Sequence, residues 1–251
     1  MTPRTLSTRL WRLSSGVIAL VLTGIAPAAA QSLSLDMGDS GSASSVLQLV
    51  ALVTVLSLAP GIIVTVTSFV RIVVVLSLLR MALGTQQAPP NMVMTSLALF
   101  LTAFVMMPTL EASYRDGIKP LIEEKIDQGE AFTRATAPLR DFMLAQVREQ
   151  DLGLFMELGR VPKVETAAET PLPVLIPAFM ISELRRAFEI GFLLFIPFLI
   201  IDMMVASILM SMGMMMLPPI MISLPFKLIF FVLVDGWYLV AGSLIRSFGT
   251  N

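Results

Sequence analysis

Long apolar stretches interrupted by proline constrain this chain more than any other feature. Of its 251 residues, 56% are hydrophobic and only 14% are charged, whereas soluble domains carry about 25% charged residues. Because so few charges cannot cover a water-facing surface, much of the chain must face lipid or other protein. The sequence therefore predicts an integral membrane protein rather than a soluble enzyme.

Four apolar segments carry this pattern, and they pair into two predicted helical hairpins. Connectors containing Pro89-Pro90 and Pro218-Pro219 separate the paired segments, and proline cannot continue a helix. Pro60-Gly61 further interrupts the first segment. The predicted division is a signal peptide at 1–30, a flexible lead-in at 31–45, a first hairpin at 46–110, a charged insert at 111–173 and a second hairpin at 174–251.

The beginning of the sequence has the pattern of a cleaved export signal. Three arginines precede a short apolar run, residues 13–25, and small residues follow at Ala28-Ala29-Ala30. This arrangement predicts cleavage between Ala30 and Gln31. An uncleaved first transmembrane helix is the alternative, although a span needs about 20 residues and this run is shorter.

The insert between the hairpins is densely charged, and its acidic residues outnumber the basic ones. Such a segment is not held in the cytoplasm by positive charge, so we expect it on the periplasmic side. Apolar residues recur at helical spacing in it, as at Phe142, Leu144 and Val147, and predict amphipathic helices.

Isolated charges inside the apolar segments are the first candidate functional residues: Arg71, Asp202, Lys227 and Asp235. Each costs about 2.5–3.5 kcal/mol if it is centred in lipid, so each should face a partner or an aqueous path. Asp202 and Lys227 flank the Pro218-Pro219 apex, and an antiparallel hairpin predicts an ion pair between them. That pair is either a structural contact, which we favour, or part of a proton or ion relay.

A second group of charges begins the third apolar segment: Glu183, Arg185, Arg186 and Glu189. Arg185 and Glu189 are four residues apart and can pair on one helical face. The group fits either a solvated or interfacial helix end or a contact between subunits.

Methionines crowd the sequence before the Pro-Pro apex, at Met210, Met212 and 214–216, around Gly213. Methionine is unbranched and adapts to surfaces of many shapes. In a ring of subunits these side chains would form a deformable apolar collar around a pore. Ordinary apolar packing is the alternative.

The residue types present also exclude several classes of protein. The chain contains no Cys and no His, and no carboxylate pair at catalytic spacing lies in the apolar segments, so an intramembrane enzyme lacks a nucleophile and base. The net charge of −1 provides no electrostatic footprint for nucleic acid. A small-solute transporter with broken helices remains the alternative, although the chain lacks an internal repeat.

The assembled motifs resemble those of the FliP family, which is called SctR in virulence-associated systems. The resemblance covers nearly all of the chain after the signal, and the signal itself favours the flagellar branch. The strings that carry it are TSFVRIVVVLSLLR at 67–80, LGTQQAPPN at 83–91, PAFMISELRRAF at 177–188, IPFLIID at 196–202, GMMMLPP at 213–219, LPFK at 224–227 and DGW at 235–237.

The resemblance implies more than the residues show. It implies an all-α membrane protein whose broken helical hairpins assemble into a helical, ring-like channel, with copies of itself and with FliQ- and FliR-type subunits. Such a channel passes unfolded flagellar polypeptides across the inner membrane at the flagellar basal body, without a cofactor. The resemblance also implies hairpins raised towards the periplasm, and a pore gasket that maps onto Met212, Met214, Met215 and Met216.

Overall fold

The computed structural model describes residues 42–85, 87–161, 169–214 and 216–249. The expected signal peptide with its cleavage position at Ala30 and Gln31 lies outside them, as does Met215. The chain divides into two units, residues 1–55 and residues 56–251. The described part of the first unit is the beginning of a helix, and the packed core lies within the second.

All regular structure in the described residues is helical, and the expected all-α fold is confirmed. The first helix begins four residues inside the expected lead-in, because the apolar segment extends its helix back through the preceding serine-rich residues. The helices are α1 (Ser42–Thr65), α2 (Phe69–Leu83), α3 (Asn91–Ser113), α4 (Lys119–Ile122), α5 (Gln128–Gln146), α6 (Glu149–Leu158), α7 (Leu172–Ser211), α8 (Pro219–Leu233) and α9 (Gly236–Arg246).

Two helical stretches are long and apolar enough to cross a membrane, α7 and the continuous run Asn91–Ile122. Two further candidates are bent pairs, in which α1 meets α2 and α8 meets α9 at 64° each. If each bent pair is one span, the described residues contain up to four spans by length and composition. The expectation of membrane helices that include broken ones is therefore confirmed.

The first bend does not lie where proline predicts it. Helix α1 runs through Pro60 and Gly61, and the break falls at residues 66–68. Hydroxyl groups cluster there: Thr65 Oγ1 donates to Ile62 O at 2.7 Å, and Phe69 N donates to Thr67 Oγ1 at 3.4 Å. Because such side chains compete with helical backbone hydrogen bonds, the hydroxyls and not the proline account for this bend.

The boundary between the apolar segment and the charged insert, at residues 110 and 111, does not coincide with the end of a helix. Helix α3 continues to Ser113, and a π-helical turn, Tyr114–Ile118, joins it to α4. At Gly117 this turn approaches α5 closely, since a Cβ atom there would lie 2.6 Å from the backbone nitrogen of Ala135. The charged insert is thus packed directly onto the end of an apolar helix.

Helix α2 is central to the packing of the second unit and lies against α7, α3 and α8. Its residues Ile72, Val75, Leu76 and Leu79 are completely or almost completely buried. A second cluster joins the insert to the beginning of α7, where Phe179 packs edge-to-face on Phe142 at 5.9 Å between ring centroids. The two clusters hold the apolar helices and the insert together in one unit.

Gly191 allows α7 to approach α2 closely, and we expect Gly191→Ala to destabilise the protein. A Cβ atom there would lie 2.2 Å from Leu78 Cδ1 and 3.2 Å from Leu78 Cβ, and overpacking of this kind costs about 1–3 kcal/mol. Gly153→Ala is the matched control because nothing lies within 4 Å of its added carbon. Thermal unfolding in detergent checks both; equal midpoints would contradict this close α2–α7 packing.

Candidate functional site

Arg71 and Glu183 form an ion pair that is completely enclosed within the chain. The side chains have 0% exposure, and they join α2 to α7 across 112 residues of sequence. Arg71 Nε donates to Glu183 Oε2 at 2.9 Å, and Nη2 donates to Glu183 Oε1. This is the two-bond geometry that arginine makes with a carboxylate.

Every remaining N–H group of Arg71 also has an acceptor. Nη2 donates to Gln146 Oε1 at 2.9 Å, and Nη1 donates to the carbonyl and hydroxyl oxygens of Ser247 at 3.0 and 3.1 Å. The guanidinium carbon lies 3.8 Å from the ring centroid of Phe248. Five donors thus meet five acceptors, as a buried guanidinium requires.

This geometry decides one expectation from the sequence and corrects another. Of the two environments expected for Arg71, a partner or an aqueous path, the structure shows a partner within the same chain. Glu183 does not belong with its charged neighbours at a helix end: it lies well inside α7 and is buried, whereas Arg185, Arg186 and Glu189 are exposed. Helical geometry separates Glu183 from Arg185 and Glu189, because residues two and six positions further on lie on the other side of a helix.

Of that exposed group, Arg185 and Glu189 form the i,i+4 pair that their spacing predicts. Arg185 Nε donates to Glu189 Oε1 at 2.9 Å. Arg186 makes no hydrogen bond or ion pair within the part of the chain that the structure describes. Whether these three charges contact another subunit stays a prediction.

Lys227 and Asp202 form the ion pair expected of an antiparallel α7–α8 hairpin, with Nζ 2.6 Å from Asp202 Oδ2. Asp202 lies nine residues before the end of α7 and Lys227 eight residues after the start of α8, so the two reach the same level. Lys227 also donates to Ala82 O at 3.0 Å, near the C-terminus of α2, where a cation is favoured. Ser223 Oγ donates to Asp202 Oδ1 at 2.5 Å.

The two side chains of this ion pair differ in how much of their surface is exposed. The Lys227 side chain is 4% exposed, whereas the Asp202 side chain is 37% exposed. Asp202 opens into a hollow of about 430 Å³ beside Leu199 and Met203. A partly open carboxylate therefore lies in the middle of an apolar hairpin.

Asp235 lies at the break between α8 and α9, not within a helix. Its φ of 52° places it in the left-handed region, which asparagine and aspartate tolerate better than most residues. The next residue, Gly236, has no room for a side chain, since a Cβ atom there would lie 2.2 Å from the Phe231 ring. Asp235 is exposed, and its role as a structural or interface charge stays a prediction.

The methionine apex is a short exposed loop between α7 and α8. Helix α7 ends at Ser211, and Gly213 follows with a φ of 72°; Met214 N donates to Leu209 O, and Gly213 N donates to Met210 O. These two bonds form a Schellman motif. Met212, Met214 and Met216 around this helix end are exposed, and Met216 reaches 98%. Within the part of the chain that the structure describes, these three side chains therefore stay largely uncovered.

A polar clamp that the sequence does not predict attaches the insert to α7. Arg148 donates to both carboxylate oxygens of Asp151, at 2.8 and 2.7 Å. Ser182 Oγ donates to Asp151 Oδ2 at 2.6 Å and accepts from Arg148 N at 3.0 Å. The clamp lies next to Glu183 on α7, and the i,i+3 spacing of Arg148 and Asp151 is its only signal in the sequence.

We expect Asp151→Asn to destabilise the protein by about 1–2 kcal/mol at neutral pH. The hydrogen bonds from Arg148, and then from Ser182, hold the pKa of Asp151 below its usual value of 3.8. The pKa of Asp151 is lower in the folded protein than in the unfolded protein. The ionised carboxylate therefore gives its full stabilisation at pH values above the unfolded-state pKa, and this stabilisation is lost as the pH falls through the folded-state pKa.

The measurement is the unfolding free energy of both proteins in detergent as a function of pH. The difference between them should stay constant from pH 6 to 8 and shrink only below about pH 4. A difference that already disappears near pH 6 would contradict this role for Asp151.

Together these features define an all-α membrane protein with both continuous and bent candidate spans, a buried ion pair and an exposed apolar apex. No group of residues that could hold a metal ion occurs in the described ranges. The FliP family model matches residues 52–244, which include both ion pairs and the apex.

Characterised relatives extend this similarity over most of the chain. The flagellar biosynthetic protein FliP of Caulobacter vibrioides is 64% identical over 236 residues, covering 92% of this chain and 89% of that protein. The protein of the same name from Bacillus subtilis is 54% identical, with 84% and 95% covered, and that from Aquifex aeolicus is 51% identical, with 85% and 90% covered. The chain belongs to the FliP family.

Proposed function

We propose that this chain is a pore-forming subunit of the flagellar protein-export gate. Copies of the chain associate with one another and with FliQ- and FliR-type subunits, and unfolded flagellar polypeptides pass through the channel that they enclose. The shared name of the relatives, flagellar biosynthetic protein, supports the flagellar role. The chain itself catalyses no reaction, and other parts of the export apparatus supply the energy.

The half-exposed Asp202 carboxylate carries this proposal. It lies on α7 with apolar residues before and after it, and its side chain is 37% exposed although Lys227 is almost buried. A carboxylate in that position is too costly to leave in lipid. The Asp202 face of α7 therefore borders an aqueous path or another subunit.

The length of exposed apolar surface on α7 supports association with other copies. Exposed large apolar residues extend from Ile181 to Met210, about 44 Å at 1.5 Å per residue. The hydrocarbon core is about 30 Å thick, and a tilt of 40° still leaves about 33 Å. The exposed Arg185–Glu189 pair lies in the same stretch, so protein and water must cover part of it.

The proposed location follows from the same features. The apolar helices belong to the inner membrane at the flagellar basal body, and the charged insert faces the periplasm. In the assembled gate the hairpins are raised towards the periplasmic side, where neighbouring subunits replace lipid around α7. The methionine apexes of the copies then meet around the channel axis as a gasket.

Cysteine labelling of α7 tests this proposal, since the chain has no cysteine of its own. Single substitutions at Leu199 and Met203 place a thiol on the face of Asp202, beside its hollow. Ile200→Cys and Met204→Cys are the matched controls, because each lies one position further along and about 100° around the helix. We expect a charged, water-soluble thiol reagent to label the first pair several-fold faster in the assembled complex.

Equal labelling of the two faces would contradict a channel on the Asp202 side. Slow labelling at all four positions, with normal labelling after denaturation, would mean that this face is sealed in lipid or protein, and would equally count against the proposal. Export of flagellar subunits by each variant is measured in parallel, so that only functional complexes are compared.

A further inference from the structure

The turn after α9, Ser247–Gly249, contacts Arg71, whose side chain is completely buried. Ser247 accepts two hydrogen bonds from Arg71 Nη1, at 3.0 and 3.1 Å. Phe248 offers its ring to the guanidinium at 3.8 Å, and its carbonyl accepts from Gln146 Nε2 at 3.3 Å. The turn thus meets α2 and α5 at a point where α9 itself has already ended.

Phe248 also completes the buried face of α9. Gly236, Val240 and Leu244 are buried at four-residue intervals along the helix, and Phe248 continues the series four residues later. It is the largest side chain of the row, and it stacks on Phe142 of α5 with ring centroids 6.2 Å apart. The opposite face of α9 is exposed and apolar, as at Tyr238 and Leu239.

The rest of α9 is held by apolar contacts, with Val240 and Leu244 buried and the Trp237 ring edge-to-face on Phe231 at 5.3 Å between ring centroids. It follows a 64° break after α8, and Asp235 at that break adopts a left-handed conformation. Its first buried residue is a glycine, which contributes no side chain. The polar and aromatic contacts that link this helix to Arg71 of α2 and to Gln146 and Phe142 of α5 come from the turn at its end.

We infer that Ser247–Gly249 is a strap that locks the half-span α9 onto the Arg71–Glu183 pair. While the strap is closed, α9 is fixed to α2, α5 and α7 through one buried guanidinium. When the strap opens, Arg71 loses two acceptors and the aromatic ring, and α9 separates from the unit while the α2–α3 core stays packed. The strap is thus a conformational device that couples α9 to the buried ion pair.

The test opens the strap with Phe248→Ala and measures thiol labelling at two buried positions of the full chain in detergent. Val240→Cys reports on α9, where the native side chain is 4% exposed, and Ala98→Cys reports on α3, where it is 0% exposed. We expect Phe248→Ala to raise the labelling rate at position 240 at least tenfold with N-ethylmaleimide, and to change the rate at position 98 less than twofold.

Phe248→Leu separates the role of the ring from that of apolar burial. It keeps most of the buried volume but removes the aromatic face that Arg71 contacts, so we expect an intermediate rate at position 240. Unchanged labelling at position 240 in Phe248→Ala would overturn the inference. Equal acceleration at both positions would also overturn it, because that result means general unfolding and not the release of α9.

Discussion

Replacing Arg71 with lysine should destabilise this protein far more than the same substitution at an exposed arginine. Lysine keeps the charge but has three donors on one nitrogen, whereas Arg71 satisfies five acceptors from Glu183, Gln146 and Ser247. The two-bond contact with Glu183 and the contact with the Phe248 ring would both be lost. Disrupting a buried pair in this way costs about 3–5 kcal/mol when one partner is removed, and we expect lysine to approach that loss.

The matched control is Arg185→Lys, since Arg185 also donates through Nε to a glutamate but is exposed together with its partner. Exposed pairs of this type contribute at most about 1 kcal/mol, so this variant should unfold close to the wild type. The readout is the thermal midpoint of each purified protein in one detergent. Similar midpoints for the two lysine variants would show that the buried ion pair is not a main source of stability.

Replacing the exposed apex methionines with alanine should make the assembled complex leak small ions. Met214 and Met216 are 42% and 98% exposed in the single chain, so neighbouring copies must supply their contacts if they form a seal. Alanine removes most of the adaptable side chain and leaves the Gly213 helix end intact. We expect a several-fold increase in ion conductance in proteoliposomes, with little change in the stability of the isolated chain.

Two comparison variants separate sealing from general damage. Met107→Ala removes an exposed methionine from α3, away from the apex, and should not increase conductance. Leucine at positions 214 and 216 keeps the apolar volume and should retain most of the seal. Unchanged conductance of the alanine variant in complexes that still export protein would rule out a methionine gasket.

The features of the fold that could be predicted from the sequence are those that depend on residues near each other in the chain. Apolar length predicts membrane helices, and Pro218-Pro219 predicts the turn between α7 and α8. Opposite charges on the two helices then predict the Asp202–Lys227 pair, which the structure contains. In each case the relevant residues lie close in sequence or on the two members of one hairpin.

The long-range contacts cannot be predicted in the same way. Arg71 and Ser247 are 176 residues apart, and no periodicity indicates that a turn after α9 closes around a guanidinium on α2. Because Glu183 is close in sequence to Arg185, Arg186 and Glu189, the sequence suggests that the four form one charged group. That prediction is wrong, since Glu183 is buried and the other three are exposed. The sequence does contain a sign that Glu183 is buried. Ala187 and Gly191 follow Glu183 at four-residue steps on the same helix face, and small residues in such a row indicate close packing; this face is buried in the structure.

The bends show a related limit. Pro60 and Pro197 remain inside helices, while the breaks fall at Thr67-Ser68 and at Asp235. Proline within an apolar helix is tolerated where neighbours satisfy the freed backbone group, and the sequence does not show which neighbours are present. Hydroxyl groups and a left-handed aspartate are weaker sequence signals than proline, although they mark the actual breaks.

The particle mass of the detergent-solubilised complex, expressed together with the proposed FliQ- and FliR-type subunits, tests the central claim most directly. A pore-forming subunit requires several copies of this chain in each particle, because one copy leaves the apex and the Asp202 face uncovered. We predict a mass that corresponds to multiple copies together with the partner subunits. A homogeneous particle that contains a single copy of this chain and still supports transport would contradict a pore-forming role.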